Sequence, residues 1–239
     1  MAEVRGLPVK QVIKLNQIQK AMAKGMKASL TELALSQVSR ELDFTAIQLF
    51  RANLLRQNHH SISLNTLVMA AVARTLPKHP YLNAQLVENE IIVFETVNLG
   101  MAVATDAGLV VTVLRDADRL TLQEISERTA DQTNRARSGL IGLEDIEGGT
   151  FTVSNLGMLG VDSGIPIPRP PESAIILFGA VRPRPVAVNG EVALRETCWA
   201  TLSYDHRFID GAKAAAFLQD LSDLLNAPQE YLTLNSDKV

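Results

Sequence analysis

Apolar positions along the 239-residue chain change their period more than once. Over residues 15–30 they fall at Leu15, Ile18, Met22, Met26 and Leu30, a three-and-four spacing that predicts a helix with one apolar face. Residues 1–14 show no period and read as an N-terminal arm. A strand is expected over 33–38, and a second helix over 44–57 with Ile47, Phe50 and Leu54 on one face. The string N-H-H-S at 58–61 breaks it. Residues 63–76 predict a third, almost wholly apolar helix, stopped by Pro77 and Pro80.

The middle of the chain alternates instead. Residues 84–95 predict two short strands with a turn at Asn89, and 97–114 two more around a turn at 106–108. The run 109–114 is nearly all apolar, which predicts a strand buried on both faces. Thr121 and Glu124 form a capping-box pattern opening a helix that runs to about Ser138, with Gly139 as its stop. Over 148–157, Phe151 and Val153 share one face, and Thr152 and Ser154 the other. A proline-rich connection at 165–171 leads to a buried strand over 173–181. Asn189–Gly190 between alternating residues predicts a hairpin, and strand continues through 199–204. From Gly211 to 225 the spacing is helical again, at Ala215, Leu218, Leu221 and Leu225, with Pro228 beyond the end. No repeat or low-complexity tract interrupts this. The pattern predicts one α/β domain over 15–235, a mixed sheet covered by helices.

Composition narrows the function classes. With 46% hydrophobic residues the chain can bury a large core, yet it has no apolar run long enough to span a membrane. A net charge of −3 gives no electrostatic reason to expect a nucleic-acid partner. The first residues lack the apolar core of a signal peptide. The one cysteine, Cys198, excludes an intrachain disulfide and fits a reducing compartment. A cytoplasmic location is expected, or the mitochondrial matrix or plastid in a eukaryote. His59 and His60 have no acidic or cysteine partners at metal spacing, so no metal site is expected.

The segment A-T-L-S-Y-D-H-R-F-I-D-G-A joins a predicted strand to a predicted helix. Asp205, His206, Arg207 and Asp210 crowd that junction, either as a salt-bridged corner or as a catalytic site. Asp210 is placed to cap the helix, and Gly211 to allow a tight turn. Neither role explains His206, whose imidazole titrates near neutral pH. Cys198 is too far along the strand to pair locally with it: eight residues of strand span roughly 26 Å. A buried thiol beside Trp199 is the better reading.

The string H-x-x-x-D-G, here His206, Asp210 and Gly211, resembles the signature of coenzyme A-dependent acyltransferases of the chloramphenicol acetyltransferase type. The fuller L-S-Y-D-H-R-F-I-D-G-A resembles one branch, the catalytic domain of the acyltransferase component of 2-oxoacid dehydrogenase complexes. P-Y-L-N-A-Q-L, V-N-L-G-M-A-V-A-T-D-A-G-L-V-V, G-G-T-F-T-V-S-N-L-G, P-P-E-S-A-I-I-L-F-G-A-V and F-L-Q-D-L-S-D-L-L match in the same order, over about residues 12–230. The resemblance implies a chloramphenicol acetyltransferase-like two-layer fold, a mixed sheet with covering helices. It implies acyl transfer between dihydrolipoamide and coenzyme A, with His206 as general base, Ser154 as oxyanion donor and Asp210 ordering the turn. Asn155, Gly157 and Gly211 become candidates for contact with coenzyme A, although Asn155 and Gly157 fit a turn after a strand equally well. Arg182 and Arg184 are candidates for a coenzyme A phosphate, or plain loop charges.

The resemblance further implies a homotrimer, often within a cubic or dodecahedral core, whose site takes its His from one subunit and its Ser from the next. Its partners would be a lipoyl domain and the decarboxylase and dihydrolipoamide dehydrogenase components. The chain is then either a piece of a longer protein or a stand-alone enzyme served by a separate lipoyl carrier. S-N-L-G-M-L-G leans toward acetyl, and R-P-V-A-V-N-G with L-S-Y-D-H-R toward succinyl; acetyl is slightly favoured. The family's first helix usually carries arginines, one of which pairs with the motif Asp. Here Gln19 and Gly25 replace basic residues while Lys20 and Lys24 remain, leaving the partner of Asp210 open. Thr112 and the string D-S-G-I-P-I-P-R-P-P-E-S also depart from the family pattern and leave acyl choice and assembly size open. The alternatives are a small-molecule O-acetyltransferase, against which the D-H-R-x-x-D-G form counts, and a non-catalytic assembly subunit, against which the presence of His206 counts.

Overall fold

The structure, a computed structural model, describes residues 3–57 and 62–232. The expected break at 58–61, with His59 and His60, lies outside the described residues. In chain order the elements are β1 (Glu3–Val4), β2 (Leu7–Pro8), α1 (Gln17–Glu32), β3 (Leu35–Asp43), α2 (Thr45–Arg56), α3 (Leu64–Thr75), β4 (Ala84–Val87), β5 (Glu90–Val93), β6 (Leu99–Thr105) and β7 (Gly108–Leu114). They continue with α4 (Leu122–Arg137), β8 (Phe151–Asn155), β9 (Ala174–Phe178), β10 (Arg182–Val188), β11 (Glu191–Asp205), α5 (Gly211–Asn226) and the single turn α6 (Pro228–Tyr231).

The main sheet is organised around β11. One side of it pairs with β3; along the other, β9 and β10 lie end to end. Beyond β9 come β8, β6 and β7, with β8 parallel to both of its neighbours. Alternation along each strand assigns the two faces. Cys198, Ala200, Leu202 and Tyr204 of β11, with Phe151, Val153, Ile176 and Phe178, belong to the core beneath α2–α5. The nearly all-apolar α3 is buried on all sides in that layer, which is why its pattern shows no polar stripe. The opposite face carries Thr201, Ser203, Asp205, Thr152 and Ser154. There Thr201 and Ser39 share a hydroxyl hydrogen bond of 2.9 Å. A partial cover crosses this face, where Ser29 of α1 donates to Pro168 O at 2.6 Å.

Several expectations are corrected. Helix α1 begins two residues after Leu15, capped by Asn16, whose side chain accepts from Gln19 N. Its apolar stripe does not enter the core: Ile18, Met22 and Leu30 are exposed, and Ser29 is its buried residue. The arm residues 3–8 form a small hairpin. Strand β3 runs to Asp43, five residues past the expected end, because β11 offers a full-length partner. Strand β7 is not buried on both faces; Leu109 is 49% exposed, since β7 ends the sheet and pairs with β6 alone. Arg182 and Arg184 sit in strand β10 rather than in a loop. The Asn189–Gly190 hairpin forms as expected, with both residues at positive φ. Its two-residue turn turns the N–H positions of residues 183 and 185 outward, and both are prolines. No described helix is long and apolar enough to cross a membrane.

Candidate active site

The junction after β11 is a salt-bridged corner, and it also presents a free imidazole. Asp205 is fully buried, and Arg207 Nε lies 3.0 and 2.9 Å from its two carboxylate oxygens. Arg207 Nη2 adds a 2.6 Å bond, and this carboxylate raises the Arg207 pKa. Asp205 also accepts from the backbone N–H groups of Ala34 and Arg207. His206 N donates to Ala34 O at 2.8 Å. The two charges flanking His206 therefore tie each other and the turn to the α1–β3 connection. The imidazole projects outward, exposed, with its ring 5.6 Å from the buried Tyr204 ring. No hydrogen bond engages its ring nitrogens among the described residues. D-H-R in the sequence held this signal: a paired Asp and Arg bracket a residue held out of the pairing.

Asp210 caps α5 as expected, its Oδ1 accepting from Lys213 N at 2.8 Å. Its ion-pair partner within the chain is Lys213, whose Nζ bonds Oδ2 and lies 5.0 Å from the Tyr81 ring centroid. The Lys213 side-chain contact, followed by the backbone N–H, holds the Asp210 carboxyl below its ordinary range. Lys213 was legible as a basic residue one turn inside a capped helix, a position the α1 comparison overlooked. Gly211 needs no special backbone angle, and a Cβ there would meet Tyr204 Oη at an ordinary 3.7 Å. The tight turn expected of it is therefore not its role.

Ser154 sits near the end of β8, half-buried on the face away from the main core. Its hydroxyl has no hydrogen-bond partner among the described residues. Beyond it the chain turns: Asn155 Oδ1 accepts from Gly157 N at 2.9 Å, and a Cβ on Gly157 would collide with Gly179 O. Asn155 and Gly157 thus fill the turn role. Arg182 and Arg184 both pair with Asp162 at 2.9 Å and are not free charges. Cys198 is fully buried, and burial pushes its thiol up to about 12, which removes it as a nucleophile. Among the described residues, no cluster of three or more His, Cys, Asp or Glu is placed to hold a metal.

The sheet register fixes how far apart the two free groups stand. Ser154 of β8 and Thr201 of β11 are both level with Leu177 of β9. His206 is five residues past Thr201 and two strands away from β8. At strand spacing that is about 16 Å along the sheet and about 10 Å across it. Within one chain the imidazole and the hydroxyl cannot meet on one substrate atom. A chain with both groups free carries two candidate half-sites.

The profile of the 2-oxoacid dehydrogenases acyltransferase (catalytic domain) family matches residues 8–233. The dihydrolipoyllysine-residue succinyltransferase component of the 2-oxoglutarate dehydrogenase complex of Haemophilus influenzae is 32% identical over 224 residues, 92% of this chain and 55% of that protein. The chain spans about half the length of the curated relatives it matches. Among solved structures, Azotobacter vinelandii dihydrolipoamide acetyltransferase superposes with a TM-score of 0.89 at 28% identity, covering 98% of this chain and 100% of that one. That work concerns the roles of a serine, a histidine and an asparagine in its catalytic mechanism. The cubic core of a pyruvate dehydrogenase multienzyme complex gives 0.89 at 27% identity, covering 98% and 100%. Chloramphenicol acetyltransferase matches in fold alone, at a TM-score of 0.51 and 12% identity over 84% of this chain and 94% of that one. The expected chloramphenicol acetyltransferase-like α/β fold is the one observed.

Proposed function

This chain belongs to the acyltransferase family of the 2-oxoacid dehydrogenases, as a catalytic domain, and from that premise we propose that it transfers an acyl group between dihydrolipoamide and coenzyme A. The observation that carries the reading is the pair of uncommitted groups at opposite ends of one sheet. His206 of one subunit and Ser154 of its neighbour together make one site, so the working unit is a homotrimer. The Azotobacter enzyme supports this: its serine, histidine and asparagine are spaced along the chain as Ser154, His206 and Asp210 are here. Asp210 stands where that enzyme has the asparagine. The catalytic unit spans 15–235, with residues 1–14 as an arm.

The chemistry follows from what each group can do. A coenzyme A thiol with an ordinary pKa near 8.5 is mostly protonated at neutral pH. The neutral His206 imidazole takes that proton as the sulfur attacks the thioester carbon. Negative charge moves to the carbonyl oxygen, toward which the Ser154 hydroxyl donates, worth about 2.7–4 kcal/mol to the transition state. Collapse breaks the carbon–sulfur bond to dihydrolipoamide, whose sulfur receives the proton back from His206. No acyl-enzyme forms. The turn tied by Asp205 and Arg207 fixes the His206 backbone, and Asp210 caps the start of α5 just beyond it.

The acyl group we assign is succinyl, in place of the slight expectation of acetyl, because the curated relatives at about one-third identity are named succinyltransferases. Ratios of kcat/KM for succinyl- and acetyl-coenzyme A decide this. A larger cubic core, a lipoyl domain, and decarboxylase and dihydrolipoamide dehydrogenase partners are part of the same reading, in the cytoplasm or the mitochondrial matrix. The test of the shared site is complementation. His206→Ala and Ser154→Ala are each expected to abolish most activity. Random mixed trimers from co-expression should recover about a quarter of the wild-type rate, since one interface in four pairs an intact His with an intact Ser. Mixed trimers without activity, or wild-type turnover by His206→Ala, would overturn the reading.

A further inference from the structure

One buried polar group has no part in this mechanism, and its role deepens the proposed function on which it rests. Glu172 lies two residues before β9 in the proline-rich connection, 1% exposed. Its Oε2 accepts from Thr152 Oγ1 at 2.5 Å. Its Oε1 is buried with no hydrogen-bond partner. The Arg169 guanidinium stands 3.6 Å from Oε1 and donates to Ile146 O at 3.0 Å. Two glycines make room for the pair. A Cβ on Gly149 would come within 2.7 Å of Oε1, and one on Gly100 would collide with Thr152 Oγ1. Backbone on β6 and on the approach to β8 is therefore shaped around this one hydrogen bond.

Its position connects it to both half-sites. Thr152 is two residues before Ser154 on the same face of the five-residue β8. Ser173, next to Glu172, accepts at its carbonyl from Asp205 N at 2.9 Å, one residue before His206. We infer that Glu172 is a positioning residue for acyl transfer: through Thr152 it fixes the tilt of β8 and so the aim of the Ser154 hydroxyl. Thr152 and Ser154 share one face of β8, so a displacement at Thr152 reaches Ser154 two residues on, and an oxyanion donor loses its effect when it is misplaced by a fraction of an ångström.

Burial is the largest influence on Glu172 and pushes it up to about 7, with Thr152 and Arg169 acting in the opposite direction. Arg169 is the charged group facing it; Thr152 of β8, Val113 of β7 and Gly149 are neutral.

The experiment is kcat and KM for the intact oligomer with Thr152→Val, Glu172→Ala and Glu172→Gln. Thr152→Val is expected to lower kcat about tenfold with KM for both thiols changed less than about twofold. Glu172→Gln should restore most of what Glu172→Ala loses, because its amide oxygen can still accept from Thr152. Amide hydrogen exchange over residues 151–155, expected to be faster in Thr152→Val, judges the anchor without any turnover. Wild-type kcat in Thr152→Val, no rescue by Glu172→Gln, or unchanged exchange would overturn the inference. A wild-type protein that transfers no acyl group while exchange responds would overturn the proposed function and leave the anchor standing.

Discussion

Glu172 has an energetic consequence separate from its place in the sheet. Its carboxyl is raised from an ordinary 4.5 to about 7 in the fold, so the native state holds a proton that the unfolded chain releases. The stability this gives is fully present below pH 4.5 and is lost as pH rises through 7, a change of about 3 kcal/mol. Glu172→Gln should lose that dependence and exceed the wild type in urea stability at pH 8; parallel stability curves for the two would refute it. Cys198 gives a second expectation at this scale. With its thiol pushed up to about 12, it should resist maleimide in the native state at pH 8 and react fully in denaturant. Native labelling at the denatured rate would contradict the burial. That burial was legible, because Cys198 sits in an alternating strand. Glu172 was not: P-P-E-S reads as a connection, and nothing local tells a glutamate that the fold will close over it. Gly211 was misread for a related reason, since a glycine after a cap looks like a turn whether or not its φ is positive.

Elements were legible where a local rule and the tertiary environment agreed. The Thr121–Glu124 capping box forms, with Thr121 Oγ1 accepting from Glu124 N at 3.1 Å and the Glu124 carboxylate accepting from Thr121 N at 2.8 Å. Thr121→Ala should cost about 1 kcal/mol with kcat unchanged, since α4 lies away from both half-sites. Denaturant midpoints measure the first and turnover the second; loss of activity without loss of stability would argue for a role beyond the helix. The same logic failed in β7, where an apolar run predicted burial. A run reports only that residues tolerate an apolar setting, and position in the sheet decides whether they receive one. It failed differently in α1. The periodicity of Ile18, Met22 and Leu30 is real, but these side chains stay exposed instead of entering the core.

At the scale of the whole molecule, the sheet's length sets how far apart the two candidate groups stand. A 15-residue β11 puts His206 at one end, and a five-residue β8 leaves Ser154 at the level of Thr201. Sequence alone gave the order of these segments; which of them are neighbours, and at what register, depends on pairings between distant residues that no local pattern encodes. The distal half of β10 and β11 extends past the other strands as a two-stranded ribbon. On its β10 margin Pro183 and Pro185 stand where outward N–H donors would be, while on the β11 margin the outward groups belong to Val192 and Leu194, which are 82% and 74% exposed. The ribbon can therefore accept another chain along one border and must refuse it along the other. Replacing both prolines with threonine should remove that refusal and let the protein add to itself without limit, seen as concentration-dependent light scattering. A clear solution at high concentration would mean that something other than the two missing donors terminates growth.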